Sequence, residues 1–200
     1  MLPKDPIREL SESLSKIPGF GKKSALRVVY YLLKSAPEIS KQLGQRLIDL
    51  HNQVKRCKIC GHFSGQEICH ICSDPSRDQK TICVVEQDQD LVTIENSQQY
   101  QGLFHVMHGV LSPLDGIGPE KLGLDRLVKR VRDESITEVI IATNPTPEGD
   151  TTALYIAKIL GQYPTQITRV ATGLPVGGDI EYADRLTIAR SFQARQPLNN

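Results

Sequence analysis

An α/β protein preceded by a helical region is predicted from three observations on the chain. After residue 80, short β-branched runs alternate with helical segments, the grammar of a parallel sheet. Before residue 54, apolar residues recur at helical spacing. Between the two, Cys57, Cys60, Cys69 and Cys72 form two CxxC pairs separated by eight residues. The expected organisation is a helical region at 1–54, a four-cysteine finger at 55–73, a parallel α/β domain at 80–175, and a closing loop and tail helix at 176–200.

Composition narrows the class. The 200 residues are 39% apolar, enough for a real core, and no apolar run approaches the length of a membrane span. The opening MLPKDPIREL has no hydrophobic signal segment. A cytoplasmic protein without membrane contact is expected, with thiols kept reduced. The net charge of +1 conceals an asymmetry: the first 60 residues carry 12 Lys+Arg against 5 Asp+Glu, and the remainder carries 12 against 18. A basic first third suits a polyanion such as nucleic acid.

That third has internal order. A short helix is expected from about Pro6 to Ser15, followed by IPGFGKKSALRVVYYLLKS, in which a second helix starts near Lys22. Gly19 and Gly21 permit a tight turn and let backbone N–H groups approach a phosphate beside a helix amino terminus. Leu26, Val29 and Leu33 are expected to face inward, leaving Lys22, Lys23 and Arg27 for DNA, with Lys34 on the same basic side. PGFGKKSALR resembles the hairpin of the helix-hairpin-helix family. A nucleotide P-loop is excluded, because Lys16 stands where its first glycine belongs and Lys23 where Ser or Thr would bind magnesium. A third amphipathic helix, about Pro37 to Val54, carries Ile39, Leu43, Leu47 and Leu50 on one stripe.

The cysteine spacing is a zinc signal: each CxxC brings two thiolates to one ion, and four close a tetrahedral shell with no position left for water or substrate. The zinc is therefore expected to be structural. His62 and His70 lie in the same loop and offer alternative ligands. Cys83, inside the apolar run TICVV, reads as a buried and inert thiol.

Beyond the finger, TICVVEQ, FHVM, TEVIIATN and ITRVAT are the expected strands, with helices at about 88–99, 120–133 and 149–160. Functional groups of a parallel sheet gather at the carboxyl ends of its strands. Glu86 closes the first strand, and the loop Asn144-Pro-Thr-Pro-Glu-Gly-Asp150 follows TEVIIATN. These residues resemble the Toprim domain of topoisomerases, primases and some nucleases, which implies a magnesium site at a strand-end glutamate and an Asp-x-Asp loop. Glu86 matches the glutamate, but Asn144 and Thr146 occupy the two aspartate positions, which removes most of the attraction for the ion. No catalytic residue is assigned. Glu86, Asn144, Glu148 and Asp150 are instead expected to form an acidic surface for a basic protein partner.

GLPVGGDIEYADRLTIARSF, from Gly173 to Phe192, reads as a glycine-rich loop followed by a helix with the apolar pattern Tyr182, Leu186, Ala189. With the hairpin, the cysteines and ATNPTPEGD in this order, it resembles the RecR family of bacterial recombination mediators over nearly the whole chain. The resemblance implies a homotetrameric ring associated with the nucleoid. Such a ring binds single- and double-stranded DNA and acts with RecO and RecF in DNA repair to load recombinase on the single strand. The alternative, a magnesium-dependent Toprim nuclease, primase or topoisomerase, would use Glu86, Glu148 and Asp150.

Overall fold

A computed structural model describes residues 5–197. Residues 1–4 and 198–200, the outer ends of the expected helical region and tail, lie outside the described residues. Two compact units divide at Val54/Lys55. Among the described residues no helix is long and apolar enough to cross a membrane.

The first unit is three helices. α1 (Pro6–Leu14) is started by Asp5, whose carboxylate accepts a 3.0 Å bond from the Ile7 N–H, with Pro6 in the first turn where its missing N–H costs nothing. α2 (Lys22–Lys34) and α3 (Pro37–Gln53) follow. The buried face of α2 differs from the expected one. Ala25 and Val29 are buried and Leu32 is half-buried, while Leu26 and Leu33 stand 40% and 62% exposed. The helix has two apolar stripes, and the buried one contains the small Ala25; α1 is the helix packed most extensively on α2. On α3 the stripe of Ile39, Leu43, Leu47 and Leu50 is exposed throughout, and none of the described residues of α1 or α3 is fully buried.

The second unit is built on a parallel sheet of four strands: β3 (Asp78–Val85), β4 (Gly102–Val106), β5 (Glu138–Ala142) and β6 (Gln166–Arg169), in the order β4-β3-β5-β6. Ahead of them, β1 (Lys55–Arg56) and β2 (Phe63–Ser64) pair antiparallel as a small hairpin, and α4 (His70–Ser73) carries the last cysteine. Side chains alternate across the sheet and build two cores. Ile82, Val84, Val139 and Ile141 face α6 (Leu124–Asp133) and α7 (Pro147–Leu160), meeting Leu127, Val131, Ile156 and Leu160. Cys83, Val85, Phe104 and Val106 face the other way, onto Leu91 of α5 (Asp88–Asn96) and onto Cys57, Cys60, Cys69 and Ile71. The finger is thus part of the core of the sheet. It also covers an edge, where the Val106 N–H donates to the Cys60 carbonyl at 2.8 Å; a second edge group, the Phe104 carbonyl, accepts from Arg130 of α6 at 2.7 Å.

Three helix ends depart from expectation for local reasons. α6 starts at Leu124 rather than near Glu120, because Pro119–Lys121 makes its own 3-10 turn and Gly123, at φ +63°, separates the two. α7 starts at Pro147, capped by Thr146, whose hydroxyl accepts from the Gly149 N–H at 3.0 Å. α8 (Arg185–Gln193) starts at the Asp184 cap, so Tyr182 falls in a separate 3-10 turn. Tyr182, Leu186 and Ala189 are exposed, and the half-buried residues of α8 are Thr187, Ile188, Arg190 and Ser191.

Candidate metal centre and strand-end site

The sulfur atoms of Cys57, Cys60, Cys69 and Cys72 lie within 4.8 Å of one another, three of the residues being fully buried. Backbone N–H groups are already aimed at two of them, His62 N–H at Cys60 Sγ (3.4 Å) and Cys69 N–H at Cys57 Sγ (3.3 Å). A hydrogen bond with Cys60 drives the Cys69 thiol strongly down, and the same contact pushes Cys60 up to about 12; Cys72 is raised by the pair as well. Crowded sulfurs resist a second negative charge, and a dication removes that resistance. Four soft donors converging without an oxygen ligand fit a structural zinc. The histidines of the loop lie elsewhere: His70 is exposed, and His62 Nδ1 is 2.6 Å from Asp88 Oδ1.

Asp88, at the start of α5, fastens the finger to the sheet. Its Oδ1 also accepts from the Phe63 N–H at 2.9 Å, and its Oδ2 is 3.2 Å from Nδ1 of His108, whose Nε2 is 2.8 Å from the Gly61 carbonyl. Nothing in the local sequence pairs His62 with a carboxylate 26 residues away. This contact was not legible before the fold was known.

At the strand ends, Glu86 is 8% exposed and holds Asn144 at two points: the Asn144 backbone N–H donates to Oε1 and the side-chain amide to Oε2, both at 2.7 Å. Gly149 packs beneath this pair, where a Cβ would run into the Asn144 carbonyl oxygen. Asp150 faces away from Glu86 in its bonding, accepting from Arg169 at 2.6 Å and from Arg190 of α8 at 2.8 Å. Hydrogen bonding from Arg169, and the charge of both arginines, hold its carboxyl below the ordinary range. Glu148 is exposed. The three carboxylates are therefore in three different states, one clamped, one ion-paired and one open, and among the described residues the cysteines are the group of three or more potential ligands that converges. Arg169 and Arg190 went unforeseen as partners of Asp150; they sit 19 and 40 residues downstream with no motif to mark them.

A cavity of about 830 Å³ lies over the strand ends, bounded by Cys83, Ile94, Tyr100, Asn144, Leu186 and Arg190. Burial pushes the Cys83 thiol up to about 12, which suits an inert role.

In the helical unit, Gly19 adopts φ +83° in the turn, and Gly21 is the residue before α2, with no side chain bonded to the helix amino terminus. Lys22, Lys23 and Arg27 are exposed on α2.

Four family profiles tile the chain. Residues 7–51 match the RecR helix-hairpin-helix, 54–74 the RecR four-cysteine zinc finger domain, 80–171 the Toprim domain and 173–196 the RecR C-terminal region. The Recombination protein RecR of Treponema denticola is 54% identical over 189 residues, spanning 94% of this chain and 97% of the relative. The chain belongs to the RecR family. The RecR of Treponema pallidum is 49% identical over 193 residues, 96% of each chain, and that of Cutibacterium acnes 44% over 190 residues, 95% of this chain and 94% of the relative. The RecR zinc-finger match takes in all four cysteines, and the RecR C-terminal match takes in α8 with Arg190.

Proposed function

We propose that this RecR-family chain is a recombination and repair mediator that binds DNA and docks partner proteins, rather than a Toprim enzyme. The observation that carries this reading is the Glu86–Asn144 pair. Where a Toprim magnesium would be held between two carboxylates, an amide donates to the glutamate and uses the lone pairs an ion would need.

In this reading the hairpin of Gly19, Gly21, Lys22, Lys23 and Arg27 holds phosphates of single- or double-stranded DNA without reading bases. The chain assembles as a homotetrameric ring and works with RecO and RecF to load recombinase on the single strand. Support for self-association comes from the helical unit, whose Leu26, Leu33, Leu43 and Leu47 are 40–62% exposed, more apolar surface than a solvated helix face carries. Glu148 is the carboxylate offered to a basic partner, while Glu86, Asn144 and Asp150 fix the loop that presents it.

The decisive experiment is a salt titration of DNA binding by the wild type and by the double variant Lys23→Glu, Arg27→Glu. Weaker binding to every sequence and a shallower salt slope are expected. Incubating labelled DNA with the protein and magnesium tests the enzyme reading: cleavage lost on Glu86→Gln would overturn the mediator role. Calorimetry of Glu148→Lys with RecO at two salt concentrations tests the docking surface, which predicts a defect largest at low salt.

A further inference from the structure

The zinc hairpin carries an aromatic side chain that the core does not use. In the β1–β2 pair Arg56 stands directly opposite Phe63, so their side chains share one face. The guanidinium carbon lies 5.8 Å from the Phe63 ring centre. Phe63 is nevertheless 48% exposed, and the His108 ring, 5.2 Å away and tilted by 55°, props it from below.

The backbone that carries the ring is tied down. The Phe63 N–H is bonded to Asp88, the Cys57 N–H donates to the His62 carbonyl at 2.7 Å across the hairpin, and Cys57 and Cys60 both lie in the connection between its strands. Lys55 and Lys58 are exposed beside it, Lys58 paired with Glu67 at 2.8 Å. The hairpin therefore presents an exposed aromatic ring, a guanidinium lying over it and a further cation together, a surface to which a flat base can add as the next layer of the stack. A duplex keeps its bases stacked on each other and has no π-face to offer such a surface, whereas an unpaired base does.

We propose that the Arg56–Phe63 face of the zinc hairpin is a stacking platform for an unpaired base of single-stranded nucleic acid, distinct from the phosphate-binding residues of α2. The proposal rests on the reading of the chain as a DNA-binding protein. It adds a means of telling single strand from duplex that backbone contacts lack.

The test is fluorescence anisotropy of the zinc-loaded full chain with a labelled oligothymidylate, the same strand made abasic, and a duplex. Phe63→Leu should weaken oligothymidylate binding by about tenfold or more, the scale of one lost base stack. Phe63→Tyr should bind like the wild type, and Arg56→Gln should show a smaller loss. Duplex and abasic affinities should be the same for Phe63→Leu as for the wild type. Zinc content and melting temperature of each variant report folding. Undiminished oligothymidylate binding by Phe63→Leu, or an equal loss on all three ligands, overturns the platform, the second result being that of a structural or purely ionic role. If Lys23→Glu, Arg27→Glu weakens binding while Phe63→Leu changes nothing, the DNA-binding reading stands and the platform falls. If the wild type binds none of the three, both fall.

Discussion

Glu86 and Asn144 form a two-point clamp in which both carboxylate oxygens accept from one residue, at 2.7 Å each. The clamp ties the end of β3 to the loop after β5 and settles the electrostatics of the strand ends by an amide instead of an ion. Replacing the amide by a second carboxylate reverses the sign of the contact. Asn144→Asp should lower stability by about 2–3 kcal/mol, the range for losing a hydrogen bond to a charged group and leaving it poorly paired. Magnesium at millimolar concentration should recover part of that loss in the variant and leave the wild type unchanged. Thermal melting with and without the ion checks both, and a variant as stable as the wild type would show that the clamp contributes little.

Zinc removal should act on the sheet as well as the finger. The cysteines are members of the core beneath β3 and β4, and the Cys60 carbonyl is the partner of the Val106 N–H at the sheet edge. Apparent zinc free energies of about 10–16 kcal/mol in finger peptides set the scale. Cys57→Ser and Cys69→Ser should each lose zinc by elemental analysis and melt at lower temperature. They should also aggregate, because an uncovered edge strand offers its N–H and C=O groups to other chains. Full metal content and unaltered melting in either variant would count against the site.

His105 makes stability depend on pH. It is fully buried on β4, neither ring nitrogen makes a well-aligned hydrogen bond among the described residues, and burial, helped by Arg130 and Arg126 and only weakly opposed by the nearby Gly123 backbone, pushes its imidazole down to about 3. The unfolded chain takes up this proton near pH 6.5 and the folded chain near 3, so the unfolded state binds more protons in between and stability falls as pH drops through that window. The slope from this group approaches about 1.4 kcal/mol per pH unit at its steepest. Denaturant midpoints measured from about pH 7 to about pH 4 should show a steeper decline for the wild type than for His105→Phe. Parallel curves would remove His105 as a source of acid sensitivity.

What could be read from the chain follows from how local the information is. The cysteine ligands are fixed by a spacing of a few residues, and the strands by runs such as TICVV whose β-branched content has one use in a parallel sheet. The inward face of α2 is not local: Leu26, Val29 and Leu33 satisfy the helical period as well as Ala25, Val29 and Leu32, and only the packing of the neighbouring helices chooses between them. In α8 the same ambiguity hid Arg190, which points at Asp150 while the more apolar Leu186 stays exposed. The aspartate-to-asparagine departure at 144 was visible as a loss of charge, whereas its positive role, donating to Glu86, required the loop to be folded back on the strand.

The tail should be released by acid through Asp150. This carboxylate receives Arg169 from β6 and Arg190 from α8, and so connects residues 173–193 to the sheet. Hydrogen bonding and charge from the arginines depress its titration in the folded protein, so the tether is fully present above the ordinary carboxylate range, about pH 4, and is lost as pH falls through the lower folded value. About a third of the side chain is exposed, which screens the pair and keeps the effect modest. Protection of α8 against hydrogen exchange, taken relative to the intrinsic rate at each pH, should therefore fall below about pH 4, and in Asp150→Asn it should already be low at neutral pH, where β3 and β5 keep theirs. Arg190→Gln should reproduce the neutral-pH result while leaving the Arg169 contact in place. Exchange in α8 unchanged by either substitution would mean that Thr187, Ile188 and Ser191 hold the helix through packing alone, and that the ion pair only follows where that packing puts it.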